Sequence, residues 1–245
     1  MIMKHLPVLI ILAALALVGC GTPAPPAPTV SAVEQRQTSA ALSERPTLAP
    51  VPTTPPPTPR PFPQVLATSA DDPRAMGDPN APVTIYEFTD YECPFCKQFY
   101  AETRAQLITE YVETGKVRLV ARDFPLEIHA SAMLAAVAGH CAAAQQNFWP
   151  MYETLFETHQ VEWGGVPKRD RETLIDLATQ IGIEPVAFTA CLDDPATEQA
   201  VQAEMQAAMQ LGINSTPNFM VNGTLLRGSL PIGSFRQLID SLLAE

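Results

Sequence analysis

An apolar run, Val83–Phe88 (VTIYEF), reads as a strand that continues through Thr89, and Lys116–Asp123 (KVRLVARD), alternating apolar with polar, reads as a second. Between them Leu107, Ile108, Tyr111 and Val112 recur with a spacing near 3.6, which predicts a helix over Cys93–Glu113 that Gly115 stops. An all-helical block is expected next. It comprises Ala130–Ala144, then Phe148–His159 behind the cap Asn147, then Arg171–Ile181 behind the cap Asp170 and closed by Gly182. A short helix carries Cys191, and Asp194-Pro195 opens another that runs to Leu211. The chain then returns to strands: Phe219–Val221 and Thr224–Leu226 flank Asn222-Gly223, a pair suited to a type I′ hairpin turn. A last helix is expected over Pro231–Leu243. The predicted order is β-α-β, a helical insertion, then β-β-α.

The N-terminal quarter has a different pattern. Met1–Cys20 has a cation at Lys4, an apolar stretch from Leu6 to Val18 and a small-residue ending, which reads as a secretory signal too short to span a bilayer. Thirteen of the 25 prolines fall within residues 21–63, where aromatics are scarce, so that stretch is expected as a disordered tether. A flexible arm of that kind has an r.m.s. reach of roughly 40 Å. The expected organisation is a signal over residues 1–19, a tether over 20–70 and one domain over 71–245. With 26 acidic against 15 basic side chains, a net charge of −11, and no cationic cluster, nucleic acid is not an expected partner.

The chemistry centres on Cys93-Pro94-Phe95-Cys96, at the junction of a strand and a helix. Unpaired N–H groups and the dipole at a helix start stabilise a thiolate, the form that attacks disulfides. Cys96 lies about one helical turn away, close enough to close a ring with Cys93. A reversible dithiol/disulfide switch is therefore expected. Of the five cysteines, 20, 93, 96, 141 and 191, setting aside Cys20 and the local pair leaves Cys141 with Cys191. A structural disulfide between them is expected, with two free buried thiols as the alternative.

Two groups of residues carry a resemblance. Phe88-Thr89-Asp90-Tyr91-Glu92-Cys93-Pro94-Phe95-Cys96 and Leu211–Gly223, which contains Thr216-Pro217, resemble the DsbA-like thiol–disulfide oxidoreductases of bacterial envelopes. Gly139-His140-Cys141 through Phe148-Trp149 matches the helical insertion of many members. The resemblance spans about Ala75 to Ala244 and implies an α/β, thioredoxin-like fold with an inserted helical subdomain. It implies that Cys93 attacks, that Cys96 resolves, and that Pro217 is cis, so that Thr216 beside the cysteines offers its backbone to an extended substrate, next to Pro94 and Phe95. Some relatives carry a second, non-catalytic disulfide in the region of Cys141 and Cys191. Glu87 falls where such enzymes often keep a buried acid that exchanges a proton with Cys96; an outward-facing strand residue is the alternative. Strongly oxidising relatives often have His where this chain has Phe95, which leaves the depth of the Cys93 pKa drop open.

Leu17-Val18-Gly19-Cys20 resembles a bacterial lipobox, which implies cleavage before Cys20, lipid on its thiol and an extracytoplasmic domain anchored to a bacterial membrane. An ordinary signal peptide with a chance Cys, or an uncleaved anchor, is the alternative. The resemblance implies exported thiol-containing proteins as substrates, a membrane redox partner for recycling and no cofactor. Oxidation of substrates is the expected direction, with reduction or isomerisation as the alternative. The tether offers no dimerisation domain, so a monomer is expected. A copper chaperone of the same fold is a further alternative, since thiolates hold Cu(I), but no His or Met adjoins the pair. His129, His140 and His159 show no paired ligand spacing, so no metal site is expected, and Met205, Met209, Trp149 and Trp163 are read as packing residues.

Overall fold

The computed structural model describes residues 61–244. The expected signal segment, Cys20 and the tether up to Arg60 lie outside the described residues. Five strands, β1 (Ala75–Met76), β2 (Val83–Thr89), β3 (Val117–Asp123), β4 (Asn218–Val221) and β5 (Thr224–Arg227), form one sheet in the order β1-β3-β2-β4-β5. β2 and β3 are parallel, with Val83 opposite Val117 and Thr89 opposite Asp123, as a strand–helix–strand crossover requires. β4 runs antiparallel to β2 and sets Phe219 beside Glu87. Asn222 and Gly223 join β4 to β5 with φ of 42° and 90°, both in the left-handed region that a type I′ turn needs.

After β2 the chain enters α1 (Pro94–Phe99), which continues as one helical run through wider turns at Tyr100–Arg104 and Ile108–Val112. The insertion comprises α2 (Ala132–Ala144), α3 (Phe148–Thr158), α4 (Pro167–Gln180) and α5 (Pro185–Leu192). α6 (Pro195–Gln210) leads back to the sheet, and α7 (Ile232–Leu243) ends the chain. Side chains alternate across a strand, so Val83 and Ile85 face one layer, where they pack with Phe99, Phe235 and Ile239. Phe88 faces the other layer and meets Ala207 and Ala208 of α6, with Leu66 and Phe124. The inserted helices share their own core, built around Ala138, Tyr152, Phe156, Trp163 and Phe188, and this core extends to Cys93 and Cys96. The cysteine pair thus lies on the seam between sheet and insertion.

Three local expectations need correction. Residues 62–70, placed in the tether by composition, are packed on the domain. Leu66 is fully buried, Phe62 packs at a tilt against Tyr86 with ring centroids 4.5 Å apart, and Arg122 donates to the carbonyls of Leu66 and Ala67 at 3.1 Å each. Arg118 holds the carbonyls of Ser69 and Ala70 in the same way. The helix expected from Arg171 begins instead at Pro167, a residue whose missing N–H costs nothing in a first turn. Asp170 lies inside that turn and reaches back to accept the N–H of Val166 at 2.9 Å. Finally, β3 is buried on both faces, because its arginines clasp the 62–70 segment rather than facing solvent.

Candidate active site

The turn from β2 into α1 is closed by the N–H of Cys93 bonding the carbonyl of Asp90 at 3.1 Å. Cys93 is the cap residue of α1 and Pro94 its first helical residue. Cys93 and Cys96 are both free thiols and both buried. The Cys93 thiol donates to the carbonyl oxygen of Thr216 at 3.5 Å, and the Thr216–Pro217 peptide is cis. Pro94 and Phe95 are exposed beside them, Phe95 at 60 %. The structure therefore brings the predicted pair, Thr216, Pro217, Pro94 and Phe95 to one place.

The two sulfurs have opposite character. Cys93 is drawn down to about 6, chiefly by its hydrogen bond with Cys96, while burial opposes the shift. The Thr216 side chain and the backbone N–H groups of Cys96 and Phe95 add to it. Cys96 is pushed up, first by burial and then by serving as donor to Cys93. One thiol is thus mostly ionised near neutral pH and its neighbour is held protonated, the division of labour that thiol–disulfide exchange requires.

Glu87 is fully buried, not outward-facing, because it shares the inner face of β2 with Val83 and Ile85. Its Oε1 accepts from the Tyr152 hydroxyl at 2.7 Å. Burial raises its pKa to about 7, against the Tyr152 hydrogen bond and the charge of Arg104. The Arg104 guanidinium lies 4.8 Å from the Tyr152 ring centroid and 5.1 Å from that of Trp149, so Trp149 helps to hold a buried cation near Glu87. Neither Tyr152 nor Arg104 is visible as a site residue in the sequence: Tyr152 comes from the inserted α3, and Arg104 lies further along the helical run from Cys96 with no local motif to mark it.

Two further acids fix the turn. Asp90 accepts the N–H groups of Glu92 and Leu126 at 2.8 Å each, with His129 Nδ1 2.7 Å away. Glu92 accepts the N–H of Ser131 at 2.6 Å and that of Gly165 at 2.8 Å, tying both flanking loops to the residue before Cys93. His140 takes part in a cluster with Asp123 and Glu204, whose ligand atoms lie within 4.8 Å of one another. Arg74 enters that cluster, contacting Asp123 at 3.5 Å, His140 at 2.8 Å and Glu204 at 2.9 Å, so a guanidinium supplies the positive charge there. Cys141 and Cys191 lie away from the turn, joined as a disulfide of 2.07 Å between α2 and α5.

Comparison with known proteins places these features in a family. The Thioredoxin_4 family model, described as Thioredoxin, matches residues 69–241. The chain is 27 % identical over 179 residues to the "Probable disulfide bond formation protein D" of Bacillus anthracis, covering 70 % of this chain and 79 % of the relative. It is 32 % identical over 157 residues to a Na(+)/H(+) antiporter NhaA of Herminiimonas arsenicoxydans. That match takes in 62 % of this chain but only 23 % of the antiporter, and this chain spans about a quarter of the other antiporters it matches. Among the described residues no helix is long and apolar enough to cross a membrane. Among solved structures, the oxidised BdbD of Bacillus subtilis superposes with a TM-score of 0.63 and 25 % identity, over 72 % of this chain and 96 % of that one. The chain belongs to the thioredoxin family and has the fold of the DsbA-like thiol–disulfide oxidoreductases.

Proposed function

We propose that this protein is a disulfide-exchange enzyme that oxidises exported thiol-containing proteins through Cys93 and Cys96. The observation that carries the reading is the unequal pair: an N-cap thiol drawn down to about 6 beside a buried thiol pushed up. A substrate thiolate attacks the Cys93–Cys96 disulfide at Cys93, forming a mixed disulfide and releasing Cys96 with the electron pair of the broken bond. Glu87, at about 7, returns a proton to Cys96. A second substrate thiolate then attacks the substrate sulfur, which frees the oxidised substrate and leaves Cys93 as a thiolate. The low pKa of Cys93 stabilises the reduced enzyme, which favours oxidation of substrate over reduction. The Thr216 carbonyl beside Pro217 offers an edge to an extended substrate strand.

The proposed setting is extracytoplasmic, with residues 1–19 as signal, lipid on Cys20, a tether to about Arg60 and a membrane redox partner that reoxidises the pair. The test is to trap the cellular redox state of Cys93 and Cys96 with an alkylating probe and to assay oxidative refolding of a reduced protein. A mostly oxidised pair, with refolding activity lost in Cys93→Ser, is expected. A mostly reduced pair favours the reductase reading, and a Cys93→Ser protein with full activity overturns both.

A further inference from the structure

Glu87 and Thr89 are alternate residues of β2, so their side chains leave the strand on the same face. That face is covered by α1, which carries Cys96, and by Tyr152 of α3. Thr89, at 1 % exposure, and Glu87 and Cys96, at 0 %, are all sealed from solvent. Among the described residues, Oε2 of Glu87 and the Thr89 hydroxyl on this face lack a hydrogen-bond partner. A buried hydroxyl without a partner is destabilising, so a valine of the same shape would fit this position better if packing were its only role. The hydroxyl interacts with the groups on either side of it, favouring the charged form of the Glu87 carboxyl and of the Cys96 thiol alike. Neither contact closes to full hydrogen-bond geometry in the dithiol state.

We propose that the Thr89 hydroxyl is the relay through which Cys96 and Glu87 exchange a proton during disulfide exchange. The inference rests on the disulfide-exchange reading given above. When a substrate thiolate opens the Cys93–Cys96 bond, Cys96 leaves as a thiolate. It takes the proton of the Thr89 hydroxyl while Oε2 of Glu87 gives its own proton to the Thr89 oxygen. The result is a Cys96 thiol, an intact Thr89 and a Glu87 carboxylate. In the reverse direction Cys96 loses its proton along the same path, attacks Cys93 and expels the substrate sulfur as a thiolate. Tyr152 holds the other carboxylate oxygen, which leaves Oε2 free for this task.

The experiment measures, in the full chain, how fast Cys96 resolves a mixed disulfide between Cys93 and glutathione, as a function of pH. The parent is expected to show a bend near 7, set by Glu87 within the field of Arg104, Tyr152, Asp123 and Tyr91. Thr89→Val is expected to slow resolution roughly tenfold or more and to remove the bend, while the midpoint for Cys93 alkylation stays near 6. Thr89→Ser restores both rate and bend. Resolution by Thr89→Val at the parental rate overturns the relay, and so does a Thr89→Ser protein as slow as Thr89→Val. A measurement on the parent alone guards against a variant that fails to fold. Rates in mixtures of light and heavy water should bend as two protons moving together require, and a linear dependence overturns the relay. If Cys93→Ser abolishes exchange but Glu87→Gln resolves at the parental rate, the relay fails alone. If Cys93→Ser still exchanges disulfides, the functional reading fails with it.

Discussion

Two cysteine pairs lie in this domain, and their surroundings are opposite. Cys93 caps a helix, and the neighbouring Cys96 thiol and the N–H groups of Cys96 and Phe95 favour its charged form. Cys141 and Cys191 are side chains within α2 and α5, where Cys141 is packed among Ala138, Ala142 and Phe188. The polar contact of Cys191 Sγ is with the Thr197 hydroxyl at 3.6 Å. The first pair is an open dithiol and the second a closed bridge. Reactivity follows from backbone placement and charge around the sulfur, and a cysteine among apolar helices is left with packing and cross-linking.

The largest effect that could break this contrast is removal of the bridge. It closes a loop across a sequence separation of 50 residues, which in the chain-entropy model contributes about 4 kcal/mol. Cys141→Ser with Cys191→Ser is expected to lower stability by roughly 2–4 kcal/mol in denaturant titration while exchange at Cys93 survives. A double variant with full stability and no turnover would place the bridge on the electron route and erase the distinction between the pairs.

That contrast was partly legible in the sequence. The strand before Cys93, the Asn222-Gly223 turn and the apolar spacing of Leu107 and Tyr111 each rest on local periodicity or turn chemistry, and each element stands where it was expected. Glu87 was ambiguous because its neighbours Tyr86 and Phe88 are apolar as well, so the pattern did not say which face was covered. What was not legible depends on partners far along the chain. Arg118 and Arg122 look like the solvent side of an alternating strand, yet they are 3 % and 1 % exposed because they hold carbonyls of residues 66–70. The same distant partners made Leu66 look like part of a tether. Asp170 reads as the cap of a helix that begins at Arg171, but the helix begins at Pro167, and Asp170 lies in its first turn, where it bonds Ser131 at 2.6 Å and Val166 at 2.9 Å. The cluster of Arg74, Asp123, His140 and Glu204 draws on four separated segments and leaves no spacing to read.

The next effect concerns the acid beside the open pair. Glu87 titrates at about 7 when folded against an ordinary value of 4.5. Between those values the folded protein holds the proton that the unfolded chain has lost, so stability falls as pH rises through that window and is level above it. The difference corresponds to roughly 3 kcal/mol at most. Glu87→Gln keeps an acceptor for Tyr152 and removes the charge. It is therefore expected to flatten stability between pH 4.5 and 7 and to gain on the parent at pH 8. Equal dependence in parent and variant would mean that the carboxylate is already solvated or fully paired, and no longer a proton store for Cys96.

The smallest expected effect tests whether the buried neighbours of Cys93, rather than the side chain at position 95, set the reactive sulfur. Phe95 is 60 % exposed, so a histidine in its place would carry its charge in water rather than in the protein interior. At a separation of about 6 Å in that dielectric, the attraction for the Cys93 thiolate is below 1 kcal/mol, or about half a pKa unit. Phe95→His is therefore expected to lower the alkylation midpoint of Cys93 only slightly from about 6, and salt should remove most of that change. The Cys96 thiol is buried with the sulfur, so salt should leave its share in place. A drop of two units that persists in strong salt would show that position 95 governs the thiolate. The comparison between the two pairs would then turn on one side chain rather than on where the chain places its sulfurs.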